Sequence, residues 1–323
     1  GNYVHGKIRM KAQKIYELKK GDYSAKINLS RGANCISIRN EKYKAKLLRE
    51  PDYSKELDNP YLYGMPILFP VNRISQGTFV FEGRKYQFPI NEPLTNCHLH
   101  GTLHETEFSL IEVSENKLLC SYRATQEQPY LSFPHAFEIQ MAYEVREDGF
   151  YHTTEVFNHS EDNMPVFLGF HTTFLSRFAK ASKDDHIRVL AELSEEYERN
   201  MANYLPTGVK PEFDSTSMAL SEGEFNPFGT PISRHYRSIK QGKMVIYNAD
   251  KQLSLVYEND EKYQFRLIYN GNADEYICLE PQNCMANCPN APFNREEAGF
   301  DYIQPGKSKI YRSKIYIEEG DKR

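Results

Sequence analysis

The chain has no tryptophan, few cysteines, no strong charge bias and no long apolar run, and each lack closes off a class of protein. Its 44 acidic and 40 basic side chains leave a net charge of −4 over 323 residues. No run of five or more basic residues occurs, so a nucleic-acid partner is not indicated. The longest apolar stretches, such as MPILFPV at 65–71, fall far short of the roughly 20 residues a membrane helix needs. The N-terminal GNYVHGKIRMKAQK is polar and has none of the apolar segment of a secretory signal, so the expectation is a cytoplasmic protein. Six cysteines (Cys35, Cys97, Cys120, Cys278, Cys284 and Cys288) are scattered widely, which does not read as a disulfide scaffold. Cys284 and Cys288 have no second pair at ligand spacing, so a zinc knuckle is not indicated either.

What the chain does have is aromatic side chains and period-two patterning. With 23 Tyr and 19 Phe, aromatics reach 13%, a content that favours strands and also suits stacking on sugar rings. In FEIQMAYEVREDGFYHTTEVFNHS (137–160), Ile139, Met141, Tyr143 and Val145 alternate with polar residues, and Asp148-Gly149 signals a hairpin before the return. KINLSRGANCISIR (26–39) reads as another hairpin, turning at Gly32. Further strand candidates lie at 78–88, 117–125, 243–248, 253–259, 263–270, 276–280 and 308–318. Helical periodicity is weak, and AELSEEYERNMAN (191–203) is its best short candidate. The segment 205–242 reads as the most loop-like region, placed to cover a binding face. No Pro/Gly/Ser linker divides the chain. The expectation is one all-β domain over 1–323, a large antiparallel β-sandwich.

The segment NCHLHGTLHE concentrates His98, His100 and His104, three of the ten histidines, next to Glu105. His98-x-His100 puts two imidazoles on one strand face, and Glu105 offers a third metal ligand, as in half of a cupin motif. The other half is missing: Glu92 and Glu112 stand where its glycines belong, and no Pro-x-Gly with a following histidine appears in the next fifty residues. The plainer reading has His98 and His104 packing around a turn at Gly101.

The neighbours of His100 carry a different resemblance. VNRISQGTFVFEGRKYQFPINEPLTNCHLHG (71–101) resembles the aldose 1-epimerases, or galactose mutarotases, in its Asn-Arg-Ile step, its GTF strand and its loop ending in LHG. YLSFPHAFEIQMAYEVREDG looks like that family's central hairpin, NMPVFLGFHTTF (163–174) like the segment with its second catalytic histidine, and YLPTG (204–208) like its Leu-Pro-Thr-Gly step. ICLEPQNCMANCPNAPFN (277–294) looks like the strand that ends in its catalytic glutamate. The match is clearest over 61–310, with five motifs in the family's order.

The resemblance implies a galactose mutarotase-like supersandwich and interconversion of the α and β anomers of a hexose or related sugar, with no cofactor and no metal. It implies Glu280 as general base, His171 and His100 as catalytic-site histidines, and Arg73, Asn72 and Gln282 as substrate-binding residues. The partner would be a small-molecule sugar, with neither nucleic acid nor membrane, and the protein a monomer or homodimer. Two departures stand out. The family's sugar-binding aspartate has no counterpart, and Arg234, His235 and Arg237 occupy that region, where they could face an anion as in hexose-6-phosphate epimerases. The usual aromatic after His-Gly is tryptophan, and Phe108 is the nearest candidate here. Three alternatives therefore stay open: a non-catalytic sugar-binding or regulatory domain on the same fold, a sugar-phosphate 1-epimerase, and a cupin-like metalloenzyme.

Overall fold

The structure is a computed structural model. It describes residues 12–179, 183, 186–271 and 275–323 in full, and the backbone of the strands Asn2–Val4 and Lys7–Arg9. Residues 1, 5, 6, 10 and 11 of the polar N-terminal stretch lie outside the described residues.

The alternating segments become strands. Phe137, Ile139, Met141, Tyr143 and Val145 of Phe137–Arg146 are buried and the residues between them half-buried. Gly149–Asn158 alternates likewise, with Arg146 opposite Gly149 across the hairpin. Successive strand side chains point to opposite faces, so this pattern turns one face to the core.

Eight strands form one antiparallel sheet in the order Ser109–Val113, Lys117–Ala124, Phe137–Arg146, Gly149–Asn158, Ser308–Glu319, Leu253–Asn259, Met244–Asn248, Ile187–Ala191. A second sheet of seven strands runs Leu193–Tyr197, Ser233–Ser238, Phe265–Tyr269, Tyr276–Gln282, Gly169–Phe170, Ile67–Leu68, with Thr173–Leu175 also paired to Tyr276–Gln282. Aromatic rings knit the two sheets together: Phe170 meets His152 edge-on at 4.8 Å, and Phe174 meets Tyr257 at 5.4 Å. A four-stranded sheet over Ile15–Lys46 joins the same apolar core, which extends from Leu18 to Ile317. All six cysteines are buried and free. Among the described residues no helix is long and apolar enough to cross a membrane.

Two expectations fail. The proposed helix at 191–203 is instead the strand Leu193–Tyr197, paired with Ser233–Ser238 through a register shift at Leu193/Glu195. Its Ala, Leu and Glu residues favour helix locally, but the pairing buries Leu193, Glu196 and Tyr197, and tertiary packing outweighs propensity. The loop-like stretch 205–242 holds the α-helix Ser215–Glu222 and the strand Ser233–Ser238. Asp214 caps that helix by accepting a hydrogen bond from the Ser217 amide, and Gly223 ends it in the left-handed conformation. Asp214 and Gly223 were legible helix boundaries.

Candidate active site

The central strand Tyr276–Gln282 is buried along its whole length and flanked on both sides, yet it carries Glu280 and Gln282. Its pairing register decides what faces the glutamate. Gly169 lies opposite Gln282 and Thr173 opposite Cys278, so the break between those two partner strands sets His171 across from Glu280. The two side chains meet: His171 Nε2 is 3.3 Å from Glu280 Oε2, an oxygen that accepts no hydrogen bond among the described residues.

A second pair of strands brings in His100. Arg73–Ser75 and Cys97–Leu99 pair with Leu99 opposite Arg73, and the next step is closed by Asn72 and His100. The His100 amide donates to the Asn72 carbonyl oxygen and the Asn72 amide to His100 Nδ1, both at 3.0 Å. An Nδ1 that accepts leaves the neutral ring's proton on Nε2. Asn72 Nδ2 then donates to Gln282 Oε1 at 3.3 Å, and Gln282 Nε2 approaches Glu280 Oε1 at 3.5 Å. A polar chain therefore runs from His100 through Asn72 and Gln282 to Glu280. Asn72 and His100 both have left-handed backbone, with φ of 64° and 62°, strain that concentrates at functional sites.

The glycine of His-Gly has a steric reason. Gly101 has φ +66°, and a Cβ there would run into the Phe69 carbonyl oxygen and the Tyr130 hydroxyl. Gly101→Ala is expected to destabilise the fold by about 3 kcal/mol or more. Urea unfolding checks this; an unchanged midpoint would mean that the loop is not held in this way.

Burial sets the protonation states. Glu280 is fully buried, and desolvation pushes its carboxyl up to about 8 against the pull of Arg199, Gln282 and Arg73. Burial lowers His171 to about 4 and His100 well below its ordinary value, with His171 the next cause for His100. Around neutral pH the site thus favours a protonated carboxyl beside two neutral imidazoles.

The remaining histidines separate. His98 is scaffolding, its ring held between the Pro89 carbonyl oxygen at 2.8 Å and the Gly101 amide at 3.2 Å. His104 comes nearer the site than expected, with Tyr61 packed on it at 4.6 Å, on His100 at 5.0 Å and on His171 at 5.9 Å. Glu105 is exposed, and it does not gather with His98 and His100. Among the described residues the three groups whose ligand atoms do converge, within 4.8 Å, are His171, Cys278 and Glu280. Burial raises the Cys278 thiol well above its ordinary value, which disfavours the thiolate a metal would need.

The basic residues are arranged unlike the expectation. Arg234, His235 and Arg237 lie on a strand, and each is engaged inside the protein. Arg234 pairs with Asp214 at 2.8 Å and Glu196 at 3.3 Å. His235 sits between the Arg266 carbonyl oxygen and the Ala286 amide, and Arg237 binds Tyr197, Gln264 and the Glu297 carbonyl oxygen. Their partners among the described residues are groups of the protein itself. Arg73, expected at the substrate, forms a bidentate pair with Glu92, at 2.6 and 3.0 Å, and lies 4.7 Å over the Tyr204 ring. Arg199, which the sequence did not single out, stacks on the same ring at 5.6 Å and acts on the charge of Glu280.

Whole-chain comparisons establish the family and the fold. The profile of the family described as aldose 1-epimerase matches residues 14–315. The chain belongs to the aldose 1-epimerase family. A galactose mutarotase-like protein from Clostridium acetobutylicum is 28% identical with a TM-score of 0.87, over 95% of this chain and 99% of that one. A GalM/aldose epimerase homologue from C. elegans shares the fold, with 16% identity and a TM-score of 0.75 over 96% and 100%. As an aldose 1-epimerase family member with this galactose mutarotase-like fold, the chain brings Asn72, His100, His171, Glu280 and Gln282 into one network and sets Arg73 at its edge. Glu92, Arg199 and Tyr204 went unread, because no local pattern marks a counter-ion 19 residues from its arginine or a ring shared by two guanidiniums.

Proposed function

We propose that this protein interconverts the α and β anomers of an aldose by acid/base ring opening and closure. The observation that carries the reading is the buried Glu280 carboxyl, raised to about 8, lying 3.3 Å from the nearly neutral-locked His171. Catalytic groups work best with pKa values near the working pH.

The pair holds one proton, exchanged across the 3.3 Å gap. With the proton on His171, Glu280 takes the proton of the C1 hydroxyl while His171 gives its own to the ring oxygen. The bond from C1 to the ring oxygen breaks and the free aldehyde forms. The proton count of the pair is unchanged, now on Glu280. Rotation about C1–C2 presents the other carbonyl face, and the reverse transfers close the ring. Arg199 and Arg73 favour the ionised glutamate that starts the cycle. The Nε2–H of His100 is free to donate to a sugar oxygen.

Saturation-transfer NMR between anomer signals of several aldoses tests the reading; exchange no faster than in buffer for every aldose would overturn it. The pH profile is a second test. A working pair must hold one proton, so kcat/KM is expected to fall as pH drops through about 4 and as it rises through about 8. A corrected rate that keeps climbing above pH 8 would mean that Glu280 acts without His171 as its acid partner.

A further inference from the structure

The charges around Glu280 do not cancel. Arg73 is matched by Glu92, whose carboxyl is held low by Arg73 and Thr95 despite the opposing effect of burial. Arg199 has no such match: it is 8% exposed, and no carboxylate comes within 4.0 Å of it among the described residues. Its Nη2 donates to the Ser233 carbonyl oxygen at 2.8 Å and hydroxyl at 2.7 Å, while its Nε and Nη1 donate to none of the described residues. Glu280 and Glu196 act on it only from farther off. Glu196 is already engaged by Arg234 and Ser217, and burial keeps Glu280 protonated through neutral pH. A buried guanidinium without a counter-ion is costly unless a ligand supplies one.

The position of Arg199 is built. The chain turns between Arg199 and Pro206, which bridge each other, with the Asn200 amide bonded to the Leu205 carbonyl oxygen. Tyr204, at φ 60°, puts its ring against both Arg199 and Arg73. The cation is thereby held close enough to Glu280 for each to act on the other's charge. One uncompensated positive charge matches a monoanion, and a carboxylate offers a guanidinium charge-assisted hydrogen bonds.

We propose that Arg199 binds a carboxylate on the substrate, so that the preferred substrate is an acidic aldose of the hexuronic acid class. This rests on the epimerase reading. The substrate's carboxylate would supply the missing counter-ion by accepting from Nε or from Nη1, which lie on different edges of the guanidinium.

The test measures anomer exchange of glucuronate, glucose and glucose 6-phosphate by the wild type and by Arg199→Gln and Arg199→Lys. Wild-type kcat/KM is expected to be about 30-fold or more higher for glucuronate than for glucose, with the gap shrinking as salt is added. Arg199→Gln should collapse that ratio to within about threefold, and Arg199→Lys should keep much of it. A ratio near one in the wild type, or equal losses for both sugars in Arg199→Gln, overturns the inference while epimerase activity stands; equal losses would mean that Arg199 acts only through Glu280. Preference for glucose 6-phosphate over glucuronate overturns the carboxylate assignment. Should Arg199→Gln fail to fold, the wild-type ratio and its salt dependence still decide. If no aldose exchanges, the epimerase reading fails, and calorimetry of glucuronate against glucose binding judges the inference alone.

Discussion

Replacing Glu280 by glutamine is expected to slow anomer exchange by roughly 10²- to 10⁴-fold and, at the same time, to make the protein more stable. The amide keeps the shape of the side chain but neither takes nor returns a proton. The stability gain follows from linkage. An unburied glutamate ionises near 4.5, and in the fold Glu280 holds its proton up to about 8. Between those values the folded state carries a proton that the unfolded state has lost, so stability falls as pH rises across the window. Glutamine removes that dependence. The variant should exceed the wild type by about 1–3 kcal/mol at pH 8 and by much less at pH 5. Urea unfolding at the two pH values measures the difference. Exchange within tenfold of wild type would remove Glu280 as the base, and a variant less stable at pH 8 would contradict the burial account.

The His171→Gln variant is expected to lose roughly 10²- to 10³-fold in kcat, with KM altered less, since the ring moves a proton to the sugar. His171 is buried against Tyr61 and His100, so a packing defect must be separated from a chemical one. The double variant with Glu280→Gln separates them. Two groups that share one proton act as a unit, and the double variant should be no slower than the worse single one. Multiplying losses would show that the two residues act independently and would sink the shared-proton mechanism.

How the sequence relates to this site differs from residue to residue. The hairpin at 137–158 was readable because period-two alternation is a local property, and burial on one face enforces it. Leu193–Tyr197 was not, because its composition favours helix and only pairing with Ser233–Ser238 makes it a strand. Individually, His100, His171 and Glu280 were recognisable from their surrounding motifs. Their meeting was not: it depends on Gly169 facing Gln282 and Thr173 facing Cys278, and a shift of one residue would turn His171 away.

The reading of the basic strand shows the same limit. Arg234 and Arg237 look available in the sequence because only the fold brings their partners, Asp214 and the Glu297 carbonyl oxygen, to them. Composition and alternation were enough for an all-β chain, and the ordered motifs were enough for the family. That Arg199 has no carboxylate within 4.0 Å among the described residues, and that Glu280 holds its proton to about 8, depended on burial and long-range pairing. Those are properties of packed neighbours, and no stretch of the chain carries them alone.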